Sequence, residues 1–471
     1  MGVLKGLKPE RVFYYFEKIC SIPHGSGNTK QISDFCVNFA NKTGLECYQD
    51  KINNIIIKKP AAKGYENKNT VIIQGHLDMV CEKNEGVEFD FSKDALKLSV
   101  CGDLISADGT TLGADDGIAV AFALAILEDK TLKHPPIEAL FTVDEETGMF
   151  GAKAIDEKKL NGKMLINIDS ENEGVLTVGC AGGARADIML KLEKDKPQEQ
   201  LTKITINGLL GGHSGVEINK GRLNANVLMG KFLSELDDFA LYYIAGGKKD
   251  NVIPSFCEAV ISAKQDISKL AEEFVSKNVT DTDSGLKITV ADYPEKAAYC
   301  YSKKSSELCA KLICNLPNGI IKMSNDVEGL VQTSLNLGVM ETIEDSLFLS
   351  FAVRSSINSE KIELLKRVES VAEKFGAVYK DHSHYPAWEY KKGSYLRENF
   401  VKTYKEIFGK EPIIEIIHAG LECGLFSEKI KGLDAVSLGP DMFDIHSGKE
   451  KLSVSSSERC YKYLLKVLEN L

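Results

Sequence analysis

Four short apolar runs in this chain each stop at an acid or a histidine, and this pattern constrains the fold more than any other feature. They are Val71-Ile72-Ile73-Gln74-Gly75 before His76-Leu77-Asp78, Phe141-Thr142-Val143 before Asp144-Glu145-Glu146, Ile166-Asn167-Ile168 before Asp169-Ser170-Glu171, and Phe443-Asp444-Ile445 before His446. Short apolar runs set between helical patterns read as strands of an α/β domain with a largely parallel sheet. In such sheets the ligand crevice lies beyond the carboxyl ends of the strands.

The rest of the chain supplies the helices. Apolar residues recur at helical spacing over 9–22 and 31–43, and 118–127 is apolar almost throughout, as in a buried helix. Further strands are expected at 54–57, 70–74, 137–143 and 164–168. Beyond Gly182 the character changes. From 184 to 382 apolar and polar residues alternate, with helices at 224–236 and 360–375, which reads as an α+β insertion with half-exposed antiparallel sheets. After Tyr385-Pro386 the α/β pattern returns, with helices at 396–408 and 457–468 and strands at 413–417 and 435–438. The domains read as 1–183 (first part of an α/β domain), 184–382 (insertion) and 383–471 (second part).

Composition closes off other classes. With 471 residues, 43% apolar and 27% charged, the chain is ordinary for a globular protein. No apolar run approaches the ~18–20 residues of a membrane span, so no membrane partner is expected. The net charge of −10 gains nothing from counterion release, so neither is nucleic acid. The 12 cysteines include no C-x-x-C pair and do not form a disulfide framework. Most of them, Cys309 and Cys314 included, read as small buried apolar residues. The segment 1–10 lacks an apolar core long enough for a signal peptide, and a reduced, cytoplasmic location is expected.

Taken singly, each acid or histidine cluster has a plain reading. His76 can be a satisfied core histidine. Asp115-Asp116, between Gly113-Ala114 and Gly117, can open a helix, where acids are favoured by capping and by the dipole. The triplet Asp144-Glu145-Glu146 can be a solvated loop. Together they say more. His76, Asp115, Glu146, Asp169 and His446 supply two imidazoles and three carboxylates. That is the wrong number for one tetrahedral zinc with an open position. It suits two ions sharing a bridging carboxylate and a water. Asp78, two residues after His76 on the same side of an extended chain, can fix the imidazole tautomer. Glu145 is the spare carboxylate and the natural general base.

With these residues assembled, the chain resembles the M20 metallopeptidases, and among them the cytosolic Xaa-His or non-specific dipeptidase branch (aminoacyl-histidine dipeptidases). The likeness is carried by Gly75-His76-Leu77-Asp78-Met79-Val80, Leu112-Gly113-Ala114-Asp115-Asp116-Gly117, Asp144-Glu145-Glu146-Thr147-Gly148, Ile168-Asp169-Ser170-Glu171, Gly211-Gly212-His213-Ser214-Gly215, His418-Ala419-Gly420-Leu421-Glu422-Cys423-Gly424 and Ile445-His446-Ser447-Gly448. The resemblance implies a zinc-peptidase-like catalytic domain with an inserted lid. His76 and Asp169 would hold one metal, Glu146 and His446 the other, and Asp115 would bridge them through a residue joined to Asp116 by a cis peptide bond. Asp78 would support His76, and Glu145 would activate the bridging water and later donate the proton. In the lid, His213 would hold the oxyanion, Arg354 the substrate carboxylate, and Asn251 would lie near the same end. By sequence alone these three read equally as surface or capping residues. The segment around 420–424 resembles a substrate-end loop with no contact assigned. Gly448 stands where many relatives carry proline, and no ligand position is replaced.

The expected activity is hydrolysis of unblocked dipeptides, β-alanyl-histidine among the candidates. A tripeptidase or an N-acyl amino acid deacylase on the same centre is the alternative, and a non-catalytic metal-binding or sensing protein is a reading from another class. Zinc suits imidazole and carboxylate, and manganese and cobalt fit the same set. By resemblance a homodimer is also considered.

Overall fold

Val71–His76 is a strand buried at every residue, lying between two parallel neighbours, Ile137–Thr142 and Met164–Asn167. A strand covered on both faces has no polar side, so its sequence runs apolar instead of alternating. These elements belong to a computed structural model that describes residues 2–196 and 200–471. The chain divides into two units: Met1–Gly179 with Tyr390–Glu415 and Glu422–Leu471, and Cys180–Glu389 with Ile416–Leu421.

In the first unit the sheet order includes Glu46–Gln49, Ile55–Lys59, Ile137–Thr142, Val71–His76, Met164–Asn167 and Asp434–Ser437. Among these the last four pair in parallel, while Glu46–Gln49 and Ile55–Lys59 run antiparallel, and Ser437 meets Thr177 in antiparallel sense. The sheet is therefore mixed, with its parallel strands grouped where the acid and histidine clusters leave it. Connection length explains the flank: residues 50–54 suffice for an antiparallel return, whereas a parallel neighbour needs a crossover.

Ala114–Glu128 is part of the crossover between Val71–His76 and Ile137–Thr142. It is buried from Ala114 to Leu127 and packs on both Val71–His76 and the helix Glu10–Cys20. Small residues permit the approach. A Cβ on Gly117 would stand 3.4 Å from Phe16 and Ile19 side-chain atoms, and one on Gly75 would stand 2.6 Å from both Ala119 Cβ and Asp116 Oδ2. Gly75 thus lets the strand that carries His76 lie directly on the helix that carries Asp115 and Asp116. A separate antiparallel sheet, Met442–Phe443, Lys451–Ser453, Leu104–Ala107 and Leu98–Cys101, joins the segment bearing His446 to the hairpin preceding Asp115.

The second unit is built on an antiparallel sheet in the order Lys287–Asp292, Thr202–Asn207, Cys257–Ala263, Phe239–Gly246, Val331–Ile343, Ser346–Ser355, Gly182–Lys191, Val378–Tyr385. The helices Ala225–Ser234, Ile267–Asn278, Lys303–Asn315 and Asn358–Lys374 contribute to one core with it, which includes Phe232, Phe274, Leu312, Phe351 and Val368. The alternation seen over 184–191 follows from this single covered face: Ala184, Ala186, Ile188 and Leu190 are buried.

Eight of the 12 cysteines are buried. Cys309 is buried but Cys314 is exposed, contrary to its sequence reading. Both lie on Lys303–Asn315, and five residues turn Cys314 about 140° round the helix axis from Cys309. Among the described residues no helix is long and apolar enough to cross a membrane.

The close contact at Gly75 makes a test of the packing. Gly75→Ala should destabilise the metal-free protein by about 1–3 kcal/mol, because the new methyl meets a side chain on each side. Thermal unfolding in the presence of chelator measures this, with a fall in Tm expected and an unchanged Tm refuting the packing argument.

Candidate metal centre

The ligand candidates sit at or just beyond strand ends because the strands stop where the backbone turns. His76 is the last residue of its strand, Asp169 follows Asn167 by two, and Glu145 and Glu146 follow Thr142 across a turn with Asp144 at φ 55°. Asp144 is left-handed without being glycine, a conformation that costs free energy and concentrates at functional sites. Asp444 (φ 52°) and His446 (φ 58°) share it. At the start of Ala114–Glu128, Asp115 and Asp116 are non-helical and joined by a cis bond.

Asp115 occupies the middle. Its Oδ1 lies 3.1 Å from His76 Nε2 and its Oδ2 3.1 Å from His446 Nε2. His446 Nε2 also lies 3.0 Å from Glu146 Oε1, and His76 Nε2 lies 3.8 Å from Asp169 Oδ1. Ligand atoms about 2.1 Å from one tetrahedral ion stand about 3.4 Å apart, so these separations suit shared coordination as well as hydrogen bonding. Three groups of possible ligand atoms, each within 4.8 Å of one another, recur here: His76 with Asp116 and Asp169; His76 with Glu145 and Glu146; and Asp115 with Glu146 and His446. Asp116, which the sequence allowed to be a cap, is fully buried. Its Oδ2 accepts the His76 backbone N–H at 3.2 Å and its Oδ1 has no partner among the described residues.

The charges point the same way. Burial, together with the neighbouring carboxylates, pushes Asp116 and Asp169 above the usual carboxylate range, against the pull of His76. Bonds from Asp115 and Glu146 hold His446 up at about 10. Without a cation, protons are what reconcile these acids. A divalent ion would replace those protons, and imidazole and carboxylate are a suitable donor set for it.

Asp78 does more than support one imidazole. His76 Nδ1 lies 2.9 Å from the Asp78 carbonyl, which leaves Nε2 free to face Asp115. The Asp78 carboxylate accepts the backbone N–H of Glu145 at 3.1 Å and of Glu146 at 3.4 Å, and the Ser26 hydroxyl at 2.8 Å. It therefore sets the pose of the Glu145–Glu146 segment as well. Burial pushes it up, but the His76, Ser26 and Glu145 interactions outweigh this and hold it below the usual range. Glu145 is moved the other way, up to about 8, by burial with added repulsion from Glu422, Glu146 and Asp115 that exceeds the pull of His76. A carboxyl with its pKa near neutrality is suited to exchange protons.

Several buried acids in this unit carry no assignment from sequence, Glu422 and Glu450 among them. Glu422 opens the helix Glu422–Lys429; its Oε2 accepts from Gln74 Nε2 at 2.6 Å and from Thr142 Oγ1 at 2.7 Å, and Gln74 in turn accepts from Asn167 at 2.6 Å. One polar network therefore crosses three adjacent strands just below their ends. Its signal in the sequence is an acid in a short run of small and apolar residues, Gly420-Leu421-Glu422-Cys423-Gly424. Glu450 is the second, four residues after His446. Gly448, between them, has no room for a side chain, since a Cβ would stand 2.9 Å from the Asn84 backbone nitrogen.

In the second unit, Gly212–His213 pairs with Val252–Ile253, and Ser214 N–H donates to the Asn251 carbonyl at 2.9 Å. His213 Nδ1 accepts the N–H groups of Gly215 and Val216 at 3.2 and 3.3 Å, which puts its proton on Nε2. Burial and the charge of Arg354 lower its pKa. Arg354 is 9% exposed, donates to Tyr385 Oη at 3.0 Å, and has no carboxylate partner among the described residues. Ser334, its cross-strand neighbour, is bonded to His418 Nε2 at 2.7 Å. His418, kept neutral first by burial and then by Arg354 and His213, joins this group unforeseen.

A carboxylate-and-imidazole cluster beyond the ends of parallel strands, with one carboxylate spanning two imidazoles, defines a metal-dependent hydrolase centre. The chain belongs to peptidase family M20/M25/M40, whose model matches residues 72–470. It is 36% identical over 483 residues, covering 100% of this chain and 99% of the other, to the cytosol non-specific dipeptidase of Escherichia coli (strain K12). Its fold superposes with a TM-score of 0.93 on the crystal structure of aminoacylhistidine dipeptidase from Vibrio alginolyticus, at 35% identity over 99% of this chain and 98% of that one. An aminopeptidase from Bacillus cereus shares the fold at a TM-score of 0.60 and 18% identity, covering 98% of each chain.

The buried network predicts a pH dependence. Glu422 is raised from an ordinary 4.5 to about 7 by burial, which the opposing pull of His76 and the Thr142 and Gln74 bonds only partly offsets. A carboxyl raised in the folded state contributes stability that is whole below the unfolded pKa and is lost as pH rises through the folded one. Metal-free protein should therefore lose stability from about pH 4.5 to above pH 7, and Glu422→Gln should reduce that loss. Thermal unfolding with chelator at pH 5 and pH 8 measures both; equal losses in the two proteins would exclude Glu422 as the source.

Proposed function

We propose that this chain is a dinuclear metal-dependent dipeptidase acting on unblocked dipeptides. The observation that carries the reading is Asp115, whose two oxygens face the imidazoles of His76 and His446, with Glu145 poised beside them. Full-length likeness to two dipeptidases supports the substrate class. His76 and Asp169 would hold one ion, Glu146 and His446 the second, and Asp115 both. Two divalent ions, zinc on the chemistry of the donors, would supply Lewis-acid polarisation of the scissile carbonyl and a more acidic water.

The protein's own groups do the rest. Glu145 takes the proton of the attacking water and returns it to the leaving amine, for which a pKa near neutrality serves both directions. Asp78 holds Glu145 by its backbone N–H and His76 in one tautomer. His213 presents Nε2–H, a neutral donor suited to an oxyanion. Arg354, buried without an acid, suits the free carboxylate of a dipeptide as a bidentate partner. Asn251, whose carbonyl accepts the N–H of Ser214 beside His213, would lie near the same substrate end.

Three measurements test this. The zinc- or manganese-loaded protein should cleave Gly-Leu, Ala-His or β-alanyl-histidine, and lose activity to chelator. Cleavage of a tripeptide or N-acetyl-leucine instead would keep the centre but change the substrate class. Glu145→Gln should retain both metals by elemental analysis and lose about 10²–10⁴-fold in kcat; near-normal turnover would remove Glu145 from its role. Arg354→Ala should raise KM for free dipeptides by at least about tenfold, with a smaller effect on dipeptide amides, and Arg354→Lys should not restore it.

A further inference from the structure

Beneath the metal centre lies a carboxylate that touches no ligand side chain yet holds two ligand-bearing segments. Glu450 is 2% exposed. Its Oε2 accepts the backbone N–H of Leu112 at 2.7 Å and of Gly113 at 3.2 Å, and its Oε1 accepts that of Ala114 at 2.8 Å, with Asp115 N–H at 3.5 Å. Gly113 is left-handed (φ 66°), and a Cβ there would also stand 2.9 Å from Met79 Sδ. A left-handed residue in such a turn aims successive N–H groups into one concavity that binds an anion. Those of Gly113, Ala114 and Asp115 are also donors that the start of a helix leaves without partners. The anion that fills this concavity is a side chain from the far end of the sequence.

Glu450 is itself held in place. Its N–H donates to the Ser447 carbonyl, the Ser447 hydroxyl bonds to the Asp444 carbonyl at 2.7 Å, and Asn84 Nδ2 bonds to the Gly448 carbonyl at 3.0 Å. The strand Lys451–Ser453 follows directly and pairs with Leu104–Ala107. The turn bearing Asp115 and the segment bearing His446 are thus tied by one carboxylate, and the tie sets how Asp115 Oδ2 meets His446 Nε2. Helix packing positions Asp115 along Ala114–Glu128, and the small sheet positions 442–453. Neither specifies the rotation of the Asp115 peptide, because Asp115 and Asp116 are not helical.

We propose that Glu450 is a positioning residue for the metal pair, fixing the bridging Asp115 against His446 through the backbone N–H groups of 112–115. This rests on the dinuclear reading above. A glutamine there keeps one acceptor oxygen and turns an NH₂ group towards N–H donors, so it fits the space but not the concavity.

The test is metal binding by metal-free protein, followed by calorimetry and by the visible absorption of bound cobalt(II). Wild type should take up two ions; failure to do so would refute the dinuclear reading itself. Glu450→Gln should bind one ion at least about tenfold more weakly, with an altered cobalt spectrum, since partners behind a ligand typically change affinity by that order. Asp283→Asn is the control for simple destabilisation. Asp283 is a buried carboxylate of the other unit that accepts the N–H groups of Leu210 and Leu223 at 2.7 and 2.6 Å. It should lower Tm and leave metal binding unchanged. Wild-type affinity and spectrum in Glu450→Gln, or an equal loss in Asp283→Asn, would overturn the proposal. If Glu450→Gln does not fold, Glu450→Asp, one methylene short, must show the same weakening; wild-type binding by it would overturn the proposal as well.

Discussion

The first unit is organised round one unfavourable fact, the gathering of Asp78, Asp115, Asp116, Glu145, Glu146 and Asp169, buried or half-buried, beside a buried imidazole, His76, and an exposed one, His446. Like charges at this density raise each other's pKa or demand a cation. Asp115 shows which solution the chain is built for. Its two oxygens are divided between His76 and His446, and each imidazole faces it with Nε2. A proton can satisfy each contact, whereas bound divalent metal would satisfy them together with the neighbouring acids. The mixed sheet, the left-handed turns and the close helix at Gly75 all serve to hold that arrangement.

Much of this centre was legible because it obeys a rule of position. The candidate ligands His76, Glu146 and Asp169 lie at or beyond strand ends, and strands show as apolar runs, so they could be picked out one strand at a time. Asp115 was legible as an acid pair between glycines at a helix start. What the sequence hid were the partners behind them. Gln74 and Asn167 sit inside apolar runs and look like interruptions; only the sheet order shows that they bond to one another. Glu422 and Glu450 accept bonds from residues some 280–350 positions away, and no local period records such a distance. His418 was quoted for its motif, but its tie to Ser334 depends on which strands lie side by side. The antiparallel flank had the same cause, since short connections allow a strand to return without requiring it. Cys314 departs from its reading for a simpler reason, because the helical angle and not the residue type sets which face it occupies.

The two units divide the chemistry. The first collects carboxylates and imidazoles. The second collects a buried guanidinium with no acid partner among the described residues and two histidines kept neutral beside it, by burial and by its charge. Buried arginine with no counter-ion among the described residues is costly unless a partner arrives. Neutral His213 follows from this, since a cation nearby disfavours a second. An imidazole that is neutral, with its proton fixed on Nε2 by two backbone N–H groups, is a hydrogen-bond donor over the whole neutral range of pH. The same burial that makes the unit expensive therefore fixes its protonation states.

Stability and function are consequently opposed in the metal-free chain. Glu145 and Glu422 are both raised towards neutrality, so each favours folding more at low pH than at high. Metal ions reverse that balance, because a ligand that binds only the folded state stabilises it by an amount that grows with its concentration over Kd. The price of the centre is borne by the packing beneath it, chiefly the fully buried small-residue helix and the strand laid against it at Gly75. An apolar core at the same place would be more stable and would hold no ion. The polar residues of Gln74, Thr142 and Asn167 are thus explained by what lies at the ends of their strands: a network that keeps three strand ends in register fixes the ligands they carry, at a cost that bound metal can offset.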